Sequence, residues 1–174
     1  YLIARKKLYQ NHGQRVYIRI NDLSSPFYPE DEIFLKKIKG SIQGVVLPKS
    51  EQAEQIEFIK KLGFKVMPLI ETPIGLKNIR QIVKSSDHFF RFGPQDYFKR
   101  DHSSLKFPIP LGPLESVEFN RIVWQLIKIS ISYKKTLLTP VYGNLKDTKG
   151  YLDTQKYIIQ QFPKHSEIGI TALN

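Results

Sequence analysis

Residues 66–78, VMPLIETPIGLKN, carry a largely apolar run from Val66 to Ile70 that ends in a carboxylate, Glu71, followed at once by Thr72-Pro73. Five such residues suit a buried strand, and Thr-Pro supplies an N-cap with proline at the first helical position. Strand, acid and helix start make one βα unit with an ionisable group at the mouth of the strand. Burying a carboxylate is costly unless something compensates it, so Glu71 is a first candidate for holding a metal ion.

The same rhythm repeats outward from this unit. Strand patterns fall at Val16 to Ile20, Gly44 to Leu47, Val66 to Ile70, His88 to Phe92, Leu137 to Val141 and Glu167 to Ile170. Helix patterns fall between them, at Pro29 to Ile38, Ser50 to Leu62, Thr72 to Ser85, Val117 to Tyr133 and Lys149 to Phe162. Strand followed by helix, repeated, predicts a parallel sheet with helices on its faces. In the second helix Ser50 is the expected N-cap, Ala53, Ile56, Ile59 and Leu62 form the apolar stripe, and Gly63 is the stop. Residues 101–116, with Pro108, Pro110, Gly112 and Pro113, are expected to form a long loop within one domain spanning 1–174. Six strands suit an open doubly wound sheet, whereas a closed (β/α)8 barrel needs eight. The opening residues Ile3 to Gln10 have the pattern of a helix tail without its strand, so an N-terminal portion is expected to be missing.

Composition narrows the function classes. The chain has 174 residues, 41% hydrophobic and 25% charged, which fits a folded domain with one core. It has no apolar run of membrane-spanning length and no cysteine, which removes disulfides, thiolate zinc sites and a cysteine nucleophile and suggests a cytoplasmic location. The net charge of +11 raises nucleic acid as a partner. The basic residues are scattered in ones to threes, at positions such as Lys36-Lys37 and Lys60-Lys61 that a helix shows to water, and this argues against it. A phosphate-bearing substrate or cofactor remains a use for the charge.

In parallel α/β proteins the reactive groups gather at the carboxyl ends of the strands. Those ends carry Arg19 and Asn21, Lys49, Glu71, Asp96 and Tyr142. Carboxylates with open water positions suit Mg2+ or Mn2+. Glu71 and Asp96 are one βα unit apart and so come from adjacent strands. Each also has a plain structural use: Asp96 as a helix cap, Arg19 as a bridge to either acid, and Lys49 as a loop charge. None of His12, His88, His102 and His165 is placed as a triad base, and no phosphate-loop, dinucleotide or nucleophile-elbow motif is present.

Five blocks, VYIRINDL (16–23), GVVLPKSEQAEQI (44–56), MPLIETPIGLKNI (67–79), FRFGPQDYFKRD (90–101) and LLTPVYGNLKDTKGY (137–151), resemble in order and spacing the citrate lyase beta subunit family, also called the HpcH/HpaI aldolase and citrate lyase superfamily. The resemblance implies a (β/α)8 barrel to which this chain supplies strands three to eight. It also implies a Mg2+ site on Glu71 and Asp96, a substrate-binding arginine at Arg19, and assembly into trimers or hexamers. The chain departs from the family at Gln95, neutral where the family has an acid, and at Ala172-Leu173, where the family has an IHP-like turn.

The implied chemistry is reversible carbon-carbon cleavage of a hydroxyacyl-CoA or a keto or hydroxy acid through a metal-stabilised enolate, with coenzyme A entering only as part of the substrate. Glu71, Asp96 and Arg19 would be catalytic. Arg19, Asn21 and Lys49, with the helix start at Thr72, Pro73 and Gly75, would bind substrate; no general base is assigned. The alternative is a non-catalytic ligand-binding or assembly protein that keeps the barrel.

Overall fold

The computed structural model describes residues 16–101, 117–138, 147–160 and 168–169. Its elements run β1 (Tyr17–Arg19), α1 (Tyr28–Lys37), β2 (Gly44–Leu47), α2 (Ala53–Lys61), β3 (Lys65–Ile70), α3 (Pro73–Lys77), α4 (Ile79–Ser85), β4 (Phe89–Phe92), α5 (Pro94–Asp101), α6 (Val117–Tyr133), β5 (Thr136–Leu138), α7 (Thr148–Gln160) and β6 (Ile168–Gly169). The six strands form one sheet in the order β1-β2-β3-β4-β5-β6, each pair parallel. A doubly wound sheet reverses its strand order partway, and this one does not. The doubly wound alternative is thereby removed. The sheet has two edges, β1 and β6, so among the described residues no closed barrel is formed.

Parallel strand-helix-strand crossovers favour one hand, a rule that lays successive helices on one face of such a sheet. Strand residues of one parity, Ile18, Ile20, Val45, Leu47, Val66, Ile70, Phe90, Phe92 and Leu137, join Ile56, Ile59, Ile82 and Ile122 of the helices in the hydrophobic core. The other parity carries Tyr17, Arg19, Met67, Leu69, Phe89, Arg91 and Leu138. Tyr17, Met67, Phe89 and Leu138 line one hollow of about 540 Å³. Strands β1 and β5 stand about 19 Å apart in a flat sheet, so a shared hollow requires the sheet to curl toward its helix-free face. Gly44 makes room for this: a Cβ there would lie 2.5 Å from the ring of Tyr17, which meets Phe89 edge-on at 6.0 Å.

Several local expectations change. The N-cap of α2 is Gln52, not Ser50, in a capping box in which Gln55 Oε1 accepts from the Gln52 N–H at 2.9 Å. Ser50 is buried; its hydroxyl donates to the Leu47 carbonyl at 2.8 Å and its N–H to the Leu69 carbonyl. Gly63, at φ +94°, closes the end of that helix as expected. The helix expected from Thr72 to Ser85 is two, because Asn78 leaves helical geometry and its side-chain amide donates to the Glu51 carbonyl at 2.9 Å. Helix α5 was not foreseen. The segment Ile3 to Gln10, the loop beyond Asp101, Tyr142 and Ala172-Leu173 lie outside the described residues.

Lysines 36 and 149 sit on wet helix faces, paired at i,i+4 with Glu32 and Asp153. Lys135 does otherwise, donating its ammonium to the carbonyls of Ser86 and Asp87 and tying α6 to the end of α4. Among the described residues no helix is long and apolar enough to cross a membrane.

Tyr28 on α1 is 6% exposed, and its hydroxyl has no hydrogen-bond partner. Burial, reinforced by the charges of Glu32 and Asp31, pushes its pKa up to about 12. Because the folded state holds the phenol neutral while the unfolded chain ionises near pH 10, stability falls as pH rises from about 10 to 12. Tyr28→Phe is therefore expected to keep or raise stability at pH 7 and to flatten that alkaline decline. Urea unfolding of both proteins across the pH range checks it.

Candidate metal centre

The carboxyl ends of β1, β2 and β3, with the start of α5, enclose a cleft of about 440 Å³ lined by Arg19, Ile20, Asn21, Asp22, Pro48, Lys49, Glu71 and Asp96. Glu71 follows β3 directly and is 3% exposed. Its Oε1 accepts the Lys49 N–H at 3.0 Å and stands 3.8 Å from Arg19 Nη2. Burial raises its pKa; Arg19 and the Lys49 N–H oppose that, and Asp96 adds to it. Two like charges that disfavour each other are what a hard divalent cation relieves.

Lys49 turns its N–H to Glu71 by adopting φ +45°, a left-handed conformation that costs a non-glycine residue roughly 1 kcal/mol. Its ammonium is held by Asp22 Oδ2 at 2.7 Å. Burial would raise the Asp22 pKa, but the bonds from Lys49 and Ser24 outweigh it and the net shift is downward. Asn21 donates both its backbone N–H and its side-chain amide to Asp31 Oδ2, each at 2.7 Å, which fastens the end of β1 to α1. Asp96 lies exposed in the first turn of α5, where Pro94 opens the helix after Gly93.

Arg19, Asn21, Lys49, Glu71 and Asp96 thus share one cleft. Thr72, Pro73 and Gly75 do not line it. Thr72 is 1% exposed and its Oγ1 accepts the Gly75 N–H at 3.0 Å, so that donor is used in capping. Pro73 has no N–H, and Gly75 is packed so that a Cβ would lie 2.6 Å from the Ser50 carbonyl oxygen. The helix start seats Glu71 without facing the cleft. Sequence reasoning missed Asp22, which was legible as an acid one residue past Asn21.

Among the described residues no three His, Cys, Asp or Glu side chains gather in one place. Glu71 and Asp96 nevertheless fit Mg2+, which takes one or two carboxylates and keeps several waters. Gln95, beside Asp96, has a buried Nε2 without a hydrogen-bond partner.

No family model matches the chain. It is 33% identical over 89 residues to a citrate lyase subunit beta-like protein of Deinococcus radiodurans; the match takes in 47% of this chain and 30% of that protein's length. By structure it is similar to the protein CitE of Mycobacterium tuberculosis in complex with magnesium and acetate, with a TM-score of 0.75, 18% identity, and 97% of this chain laid on 69% of that one. The same protein in complex with magnesium, acetoacetate and coenzyme A gives 0.73 and 18%, covering 97% of this chain and 61% of that one. The resemblance to citrate lyase beta subunits holds in sequence and in fold.

Proposed function

We propose that the chain is part of a Mg2+-dependent carbon-carbon lyase of the citrate lyase beta subunit type, a (β/α)8 barrel to which it contributes strands three to eight, assembling as a homo-oligomer and acting on soluble acids or acyl-CoA thioesters in the cytoplasm. The observation that carries this is the buried Glu71 carboxylate at the end of β3, in one cleft with Asp96 and Arg19. The magnesium and small-acid complexes of the CitE structures support it.

Glu71 and Asp96 would hold the ion, and Mn2+ would serve in its place. When bound, the ion supplies Lewis-acid stabilisation to negative charge developing on a carbonyl oxygen, worth several kcal/mol. Arg19, 59% exposed at its side chain, is free enough to turn its planar fork from Glu71 to a substrate carboxylate. The Lys49 N–H aims Glu71 and opposes the upward shift that burial puts on its pKa. Lys49 and Asp22 neutralise each other at the wall and leave Arg19 as the arginine that faces the cleft.

Titration calorimetry with Mn2+, followed by turnover of a panel of hydroxyacyl-CoA thioesters and keto or hydroxy acids in Mg2+, tests this. Saturable binding of one ion per chain and metal-dependent cleavage of at least one compound are expected. Absence of metal binding overturns the proposal. The unpartnered Gln95 amide, in place of an acid beside Asp96, favours one alternative, a ligand-binding or assembly protein. That alternative predicts metal and acid binding without cleavage.

A further inference from the structure

Helix α6 buries one side in the core, through Phe119, Ile122, Leu126 and Ile129, and shows water another. The wet side is not polar throughout. Val117, Trp124 and Ile131 are exposed there, and Arg121 and Lys128 alternate with them. The row Val117-Arg121-Trp124-Lys128-Ile131 advances by four and three residues in turn, the spacing of a coiled-coil seam. Apolar residues scattered singly over a surface need no explanation, but three in line along about 21 Å of one helix do. The helix belongs to the crossover from β4 to β5, strands with a neighbour on each side, and it packs against α4, so the row is not the margin of an open sheet edge.

Charge says what covers this row. The outward residues of α4 are Arg80, Gln81 and Lys84, and that helix has no acid; α6 has one, Glu118, in its first turn. Lysines 36, 60 and 149 on other helices stand beside Glu32, Glu57 and Asp153. Among the described residues Arg80, Lys84, Arg121 and Lys128 have no such acid. Part of the +11 surplus is therefore gathered, uncompensated, on the α4–α6 face. A second copy of the chain is a poor fit, because the row paired with itself in either direction brings Arg121 and Lys128 against the same cations. A lipid surface fits less well too: α6 spends its broad apolar side on the core, and the cations lie within the narrow row that remains instead of flanking a wide one.

We propose that this face docks an acidic amphipathic helix of a partner protein. The partner's aliphatic residues pack around Trp124, between Val117 and Ile131, and its carboxylates meet Arg121 and Lys128, with Arg80 and Lys84 alongside. None of these residues lines the metal cleft, so the docking does not depend on the lyase assignment.

The probe is a synthetic three-heptad peptide with leucine at a and d and glutamate at e and g, too negative to pair with itself; its lysine counterpart is the control. Trp124 is the chain's only tryptophan, so its emission reads the row directly. Saturable binding of the acidic peptide with a blue shift of that emission is expected. Arg121→Glu combined with Lys128→Glu should weaken binding by about tenfold or more and admit the lysine peptide instead. Trp124→Ala, read by anisotropy of labelled peptide, should lose as much or more. These side chains stay out of the core, and circular dichroism of each variant should match the wild type. Binding indifferent to the charge reversal, or none that saturates at up to about 0.1 mM peptide, overturns the proposal. So does a blue shift brought on by self-association, by phosphatidylserine vesicles or by single-stranded RNA in place of the peptide, which would give the face to that occupant.

Discussion

Glu71→Gln is expected to lower Mg2+ or Mn2+ affinity by more than about 100-fold, since changes to groups that merely orient a metal ligand already cost about 10–100-fold. Turnover should fall with it. The metal-free variant should also be at least as stable as the wild type at neutral pH. The folded-state pKa of Glu71 is raised, so folding favours the protonated acid. The resulting penalty on the ionised form is absent below the unfolded value of about 4.3 and complete once pH has passed the folded value. Glutamine carries no such penalty and can still accept the Lys49 N–H. Calorimetric titration with Mn2+, paired with urea unfolding in chelator at pH 7, reads both effects. Unaltered affinity would show that Glu71 holds no ion.

The largest loss of stability is expected from Phe92→Ala, about 3–5 kcal/mol. Phe92 is fully buried at the end of β4, and its ring meets Tyr97 at 5.5 Å, Phe98 at 6.5 Å and Phe119 at 6.4 Å. These contacts join β4 to α5 and α6, so truncation leaves a cavity at the joint that positions Asp96. Against a typical domain stability of about 5–15 kcal/mol, such a variant is near unfolding. Its metal affinity, measured at low temperature where it remains folded, should also drop. Phe92→Leu, which refills most of the volume, should lose less than half as much by urea unfolding. A loss in Phe92→Ala below about 1 kcal/mol would mean the aromatic joint is not what holds α5.

Much of this was legible in the chain. Val66 to Ile70 and Gly44 to Leu47 are short apolar runs with clear boundaries, and α6 was found at its observed limits because Phe119, Ile122, Val123 and Leu126 keep the helical period. The rim acids were visible because each directly follows a strand or its first turn. What escaped depends on tertiary partners. Ser50 has an ideal capping side chain, yet the Leu47 carbonyl takes its hydroxyl and Gln52 caps instead. Thr72-Pro73 signalled a helix start correctly, but the donors it offered are used within the turn. The hydrogen bond that breaks the following helix at Asn78 comes from 27 residues away.

The left-handed turn at Lys49 has one further effect. The chain after β2 is wound against its own preference and latched by a single oxygen of Glu71, while its side chain grips Asp22 beyond β1. Anything that draws that oxygen away slackens the latch, and the slack reaches the first strand through the lysine. The rim therefore behaves as a linked assembly, in which what occupies β3 is felt at β1.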